Sequence, residues 1–143
     1  VNLTSKIKAM YLDTITTLCM DGDDGQYGSS VEHDIYALQA LSKRIHYGAL
    51  YVAESKYQSA PSEYQRYIDK GDKDGLFALL TRKEVEKNII NRVRDKVDHA
   101  QKKVNTDVRR VIDPDMIVTI YKEHIIPLTK EGEILYLLHR QQR

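Results

Sequence analysis

Residues 29–57 read SSVEHDIYALQALSKRIHYGALYVAESKY, and the spacing of the aliphatic residues in this stretch decides the fold class. Val31, Ile35, Leu38, Leu41 and Ile45 recur at steps of 4, 3, 3 and 4, which is the period of one face of an α-helix. Ser29 followed by Glu32 has the capping-box pattern, so the spacing predicts a long helix from Ser29 to about Tyr57, stopped by Ala60-Pro61. The same period continues outward in both directions. A first helix is expected from about Ser5 to Met20, with Ile7, Met10, Tyr11, Ile15 and Leu18 on one side, broken by DGDDGQYG at 21–28. Beyond Pro61, residues 62–80 read as two short helices interrupted by KGDKDG. Thr81 with Glu84 forms a second capping box ahead of a stripe of Val85, Ile89, Val93 and Val97. A polar loop at 101–110 leads to Asp113 as N-cap with Pro114 at the first helical position, and the last helix runs toward Arg143 with a kink expected at Pro127. No segment alternates with the period of a strand, so the class is all-α.

With 143 residues the chain has the size of one domain, and 1–143 is read as a single helical domain with a core of its own. The 22 Lys+Arg balance 21 Asp+Glu to a net charge of +1, which gives no broad field for nucleic acid or an anionic membrane. A small anion would need a local basic pocket. Cys19 is the sole cysteine, which excludes an internal disulfide framework and suits a reducing compartment. No apolar run approaches the roughly 20 residues of a membrane span. The five histidines lack metal-ligand spacing, and DGDDG fails the calcium-loop pattern because Gln26 stands where the glycine belongs; no metal is expected. The basic pairs Lys102-Lys103 and Arg109-Arg110 have no interleaved aromatics and read as a solvated loop.

Polar residues on faces that should be apolar carry the functional signal. Glu86 is in line with Ile90, Val93 and Val97, and Thr129 and Glu133 stack between Ile126 and Leu137. Arg44 and Lys56 flank a segment with few other charges. Such groups either line a polar cavity, pair with one another, or snorkel to water from the stripe edge.

The blocks LQALSKRIHYGALYVAESKY, LLTRKEVEKNIINRV and IYKEHIIPLTKEGEILYLLHR, with DGDDGQYGS ahead of them, resemble in order segments of fungal and plant chorismate mutases. The resemblance covers essentially the whole chain and implies the C-terminal portion of that long-helix bundle, without its N-terminal helices. It implies conversion of chorismate to prephenate, in phenylalanine and tyrosine biosynthesis, without a cofactor. By position, Arg44 resembles the arginine that binds a substrate carboxylate, and Lys56 the lysine that hydrogen-bonds the breaking ether oxygen. Glu133 resembles the glutamate on the other side of that oxygen, Thr129 its neighbour, and Glu86 the acid that orients the substrate hydroxyl. Arg82 stands where some members have an asparagine in the site. A Claisen rearrangement needs no nucleophile; it needs a folded dianion and donors for the negative charge growing on the ether oxygen. A glutamate is such a donor only when protonated, so the match implies a raised pKa for Glu133 and an acid preference.

Departures from the family pattern set further expectations. The family's second carboxylate-binding arginine lies on an upstream helix, whereas no arginine precedes Arg44 here; Lys6 and Lys8 are the local substitutes. Arg44 and Lys56 are twelve apart where the family has eleven, and one extra residue turns a helix by about 100°. A π-type turn or bend between His46 and Ala53 is therefore expected to restore the face. Gly132, next to Glu133, costs its helix up to about 1 kcal/mol. Gly28-Ser29 match a glycine-serine pair that helps bind an aromatic amino-acid effector in regulated members; a turn glycine and an N-cap serine explain them equally. The apolar helix faces imply a homodimer. The cytoplasm is the expected compartment, with a plastid or the cell exterior as alternatives. The rival to an enzyme is a shortened, catalytically weak relative that serves as a protein- or effector-binding module, such as a secreted effector.

Overall fold

The computed structural model describes residues 1–18, 25, 27–103 and 113–140, and within these only helices and their connections occur. Seven α-helices follow in order: α1 Thr4–Leu18, α2 Tyr27–Ser59, α3 Pro61–Lys70, α4 Lys73–Leu80, α5 Lys83–Gln101, α6 Pro114–Ile120 and α7 Ile126–Leu138. A π-helical turn, Tyr121–Ile125, joins α6 to α7.

The main packing axis is α2 against α7. Ile45, Ala49 and Ala53 of α2 are fully buried, and small residues on both sides let the helices approach closely. A Cβ at Gly132 would stand 2.8 Å from that of Ala49, so the helix propensity that Gly132 sacrifices is the condition for this contact. One half of the core, around Ala53, collects Tyr64, Leu76, Leu80, Ile134 and Leu137; the other gathers Leu3, Ile7, Met10, Ile45 and Ile125 under α1. His46 ties α1 down: its Nε2 accepts from the Leu3 N–H at 3.0 Å while Nδ1 hydrogen-bonds the Ser42 carbonyl at 2.9 Å.

Local signals place most boundaries. Pro61 opens α3, Asp72 caps α4 by accepting from the Gly75 N–H, and Asp113 caps α6 ahead of Pro114. Other expectations are corrected. Helix α2 starts at Tyr27, so Gly28 and Ser29 lie within its first turn, and the left-handed glycine before it is Gly25, with φ 73°. Thr81 does not open α5. Only two residues separate α4 from α5, and the Thr81 hydroxyl turns back to donate to the Phe77 carbonyl at 2.7 Å, leaving Arg82 as the N-cap without a side-chain bond.

Pro127 sits in the first turn of α7, directly after the π turn. It has no N–H for the carbonyl four residues back, and the chain widens ahead of it into the π turn, in which the Ile126 N–H bonds the Tyr121 carbonyl. Helix α2, by contrast, is continuous α-helix through 46–53, so the π turn expected there is absent. The expected apolar stripes are only partly covered. Val31, Ile35 and Val85 are exposed, and α5 has no fully buried residue. The expectations for Cys19, Met20 and the loops at 21–24 and 104–112 lie outside the described residues.

Candidate functional site

Between α2, α5 and α7 lies a cavity of about 390 Å³. Its walls carry Arg44 and Lys56 from α2, Arg82 and Glu86 from α5, and Thr129, Lys130 and Glu133 from the last helix, with Val52, Leu80, Ile89, Ile125 and Ile126 as apolar lining. All six residues assigned to the substrate or the reaction therefore meet in one place.

Lys56 reaches the cavity without a π turn. It extends the buried line Ile45–Ala49–Ala53, and its side chain is 16% exposed. Its ammonium donates to the Leu80 carbonyl at 2.9 Å and stands 3.7 Å from Glu133 Oε1. Arg44 lies about 120° around the helix from Lys56, as twelve regular residues dictate, and is exposed at the rim. It gains the cavity by lying across Gly48, where a Cβ would come within 2.9 Å of Arg44 Nη1 and 3.6 Å of Thr129 Cγ2. The missing side chain at 48 thus does the work expected of a bulge.

Glu133 is 3% exposed, and its Oε2 is buried without a hydrogen-bond partner. Burial raises its pKa, and the charges of Lys56 and Lys130 oppose that rise without cancelling it. Burial likewise lowers the pKa of Lys56, with Glu133 opposing. An acid that leans toward its neutral form thus faces an ammonium across the cavity. The Thr129 hydroxyl donates to the Ile125 carbonyl at 2.7 Å. Arg82, exposed at the start of α5, acts electrostatically on Lys56 and on Tyr64. Lys6, the possible local substitute for an upstream arginine, is committed elsewhere, in an ion pair with Glu131.

One residue lining the cavity, and one electrostatically coupled to it from outside the lining, escape the sequence reading. Lys130 is 9% exposed and ion-paired with Glu86; its signal was available, since it lies midway between Ile126 and Ile134 at four-residue steps. Tyr64, 2% exposed, is electrostatically coupled to Glu133, and nothing in the sequence separates it from its neighbours Tyr57 and Tyr67. Gly28 and Ser29 do not line the cavity; at 1.5 Å per residue Gly28 is about 24 Å along α2 from Arg44.

Fold and site together define an all-helical protein with one cavity lined by cations, a buried acid and apolar side chains. The chain belongs to the chorismate mutase type II family, whose sequence model matches residues 27–134. It is 41% identical to the chorismate mutase of Saccharomyces cerevisiae over 144 residues, covering 98% of this chain and 56% of that protein. Similarity to the cytosolic chorismate mutase 2 of Zea mays is 38% over 148 residues, covering 98% of this chain and 58% of the relative. A crystal structure of a chorismate mutase with phenylalanine in its allosteric site superposes with a TM-score of 0.88 at 42% identity, over 98% of this chain and 56% of that one. The chain thus spans little more than half the length of these relatives.

Proposed function

We propose that the protein is a chorismate mutase, an isomerase that rearranges chorismate to prephenate in phenylalanine and tyrosine biosynthesis. The observation that carries this reading is the Lys56 ammonium beside Glu133 Oε1, with Glu133 Oε2 buried and unpartnered, on one cavity. In the rearrangement a carbon–carbon bond forms as the ether carbon–oxygen bond breaks, and negative charge grows on the departing oxygen. Lys56 donates to that oxygen from one side and protonated Glu133 from the other, in a site whose apolar walls strengthen both bonds. Arg44 binds one substrate carboxylate at the rim, and Arg82, a further cation of the lining, is available for the second. Glu86 accepts from the substrate hydroxyl, and Thr129 packs beside the ring. Positioning of the folded dianion supplies the remainder of the effect, and no cofactor or metal has a role.

The test is the loss of chorismate absorbance on adding the protein. Turnover is expected, and Lys56→Met should lower kcat by about 100-fold or more while the fold is kept. A folded Lys56→Met variant with unchanged kcat would overturn the assignment.

Regulation is part of the same reading. An aromatic amino acid would sit with its carboxylate on the free N–H groups of the first turn of α2, where Gly28 and Ser29 lie, as helix N-termini favour anions. The phenylalanine in the relative's allosteric site supports this class of effector. A homodimer is the assembly we assign, on the exposed apolar residues of α2. The cytoplasm is the compartment we assign, on the lone Cys19 and the cytosolic maize relative.

A further inference from the structure

The last carbonyls of a helix have no partners within it, and a cation placed against them is favoured. At the end of α4 two lysines from different helices do this together. Lys56 of α2 donates to the Leu80 carbonyl at 2.9 Å; Lys130 of α7 donates at 2.9 Å to Thr81 Oγ1, which in turn donates to the Phe77 carbonyl. The Lys130 ammonium also lies 4.8 Å from the centre of the Phe77 ring and ion-pairs with Glu86. Among the described residues, the hydrogen-bond and ion-pair partners of Lys130, Thr81 and Glu86, thus belong to the α4–α5 segment across the cavity. Helix α5 has no buried residue and packs mainly on α6, so its cavity end has little else to set its distance from α7.

We propose that Lys130 is a positioning residue of this site: from α7 it pins Glu86 and the α4–α5 junction across the cavity and holds a second positive charge one turn from Glu133. The inference rests on the chorismate mutase reading for what Glu86 and Glu133 do, and on geometry alone for what Lys130 does to them. Glu133 is faced by Lys56 from α2, Lys130 from its own helix, Glu86 from α5 and Tyr64 from α3, while Arg82 at the N-cap of α5 acts on Lys56 and Tyr64. Of the two cations that act on it directly, Lys130 is the one a substrate's ether oxygen does not recruit. Without the Lys130 charge the neutral form of Glu133 is favoured over a wider pH range.

The experiment is a carbon-13 NMR titration of the Glu133 carboxyl, assigned by its loss in Glu133→Gln, in the parent and in Lys130→Met. The substitution keeps the aliphatic contact with Phe77. Its expected result is a Glu133 midpoint about one pH unit higher, with Lys130→Arg restoring the parent value. A midpoint unchanged in folded Lys130→Met would overturn the proposal, because a merely structural lysine does not move it. If Lys130→Met fails to fold, Lys130→Gln, whose amide still reaches a hydrogen-bond partner, takes its place under the same criterion. Chorismate turnover adds a second readout: KM about tenfold higher in Lys130→Met, with the alkaline limb of the rate profile moved to higher pH. Absence of turnover in the parent would refute the function proposed above, and the titration would still decide the role of Lys130.

Discussion

Gly48 and Glu133 are where single residues decide what the cavity can do. An alanine at 48 would put its Cβ 2.9 Å from Arg44 Nη1. The guanidinium is the free end of a flexible, exposed side chain, so it moves aside at small cost to the fold. Gly48→Ala should therefore leave the melting temperature nearly unchanged while raising KM for chorismate about tenfold, the effect of one misplaced carboxylate contact. At Glu133 the folded-state pKa is raised above that of the unfolded chain, chiefly by burial. The sign of the linkage follows: the contribution to stability is fully present below the unfolded pKa and is lost as pH rises through the folded one. Thermal denaturation of Glu133→Gln should accordingly show it gaining stability over the parent at pH 7 and not at pH 4. A gain of the same size at both pH values would mean that ionisation of Glu133 is not what the fold resists.

Between elements, the contact of α2 with α7 sets the distance from Lys56 to Glu133, and two features hold it. One is the Ala49–Gly132 approach; Gly132→Ala must push the helices apart and should cost about 2 kcal/mol in denaturant unfolding, despite alanine's better helix propensity. The other is Glu54, which accepts from Arg140 Nε at 2.9 Å, from Arg140 Nη2 at 3.0 Å and from the Tyr136 hydroxyl at 2.6 Å. Those bonds hold its pKa at about 2. Glu54→Gln should lower stability at pH 7 by about 1 kcal/mol, as for a partly exposed ion pair, and the loss should vanish as pH falls from 4.5 toward about 2. At this scale the sequence is most legible where a boundary is chemical and local: Ala60-Pro61 ends α2, KGDKDG falls at the break between α3 and α4, and Asp113-Pro114 opens α6. Capping boxes mislead where a neighbouring helix intrudes, since Thr81 is near enough to the end of α4 to bond its carbonyl. Periodicity identifies a helix and its apolar side without saying what covers that side, hence the exposed Val31, Ile35 and Val85. That six residues gather on one cavity was legible from two signals: Glu86, Thr129 and Glu133 are polar on an apolar stripe and Arg44 and Lys56 flank a charge-poor segment, whereas Arg82 is marked by family position alone. How Arg44 and Lys56 share a cavity at twelve-residue spacing depends on which side chain crosses Gly48, a packing fact with no pattern along the chain.

Over the whole molecule, apolar surface remains in long stretches on α2, where Val31, Ile35, Tyr36, Tyr47, Leu50 and Tyr51 are all exposed. Continuous apolar exposure of this kind favours association, and a dimer is the outcome to expect from sedimentation equilibrium at micromolar concentration. A monomer there would remove the assembly assigned above and leave the cavity chemistry intact, because all the residues named in it come from one chain. The proposed chemistry is a neutral acid and an ammonium acting on one ether oxygen. Glutamine in place of Glu133 remains a donor at every pH, whereas the native acid stops donating as it ionises. The most direct measurement is the pH dependence of kcat/KM for chorismate in the parent and in Glu133→Gln. The parent should lose activity as pH rises through the elevated pKa of Glu133, and the variant should retain activity at neutral pH with that limb removed. A folded Glu133→Gln protein that is inert at every pH, beside an active parent, would contradict the account.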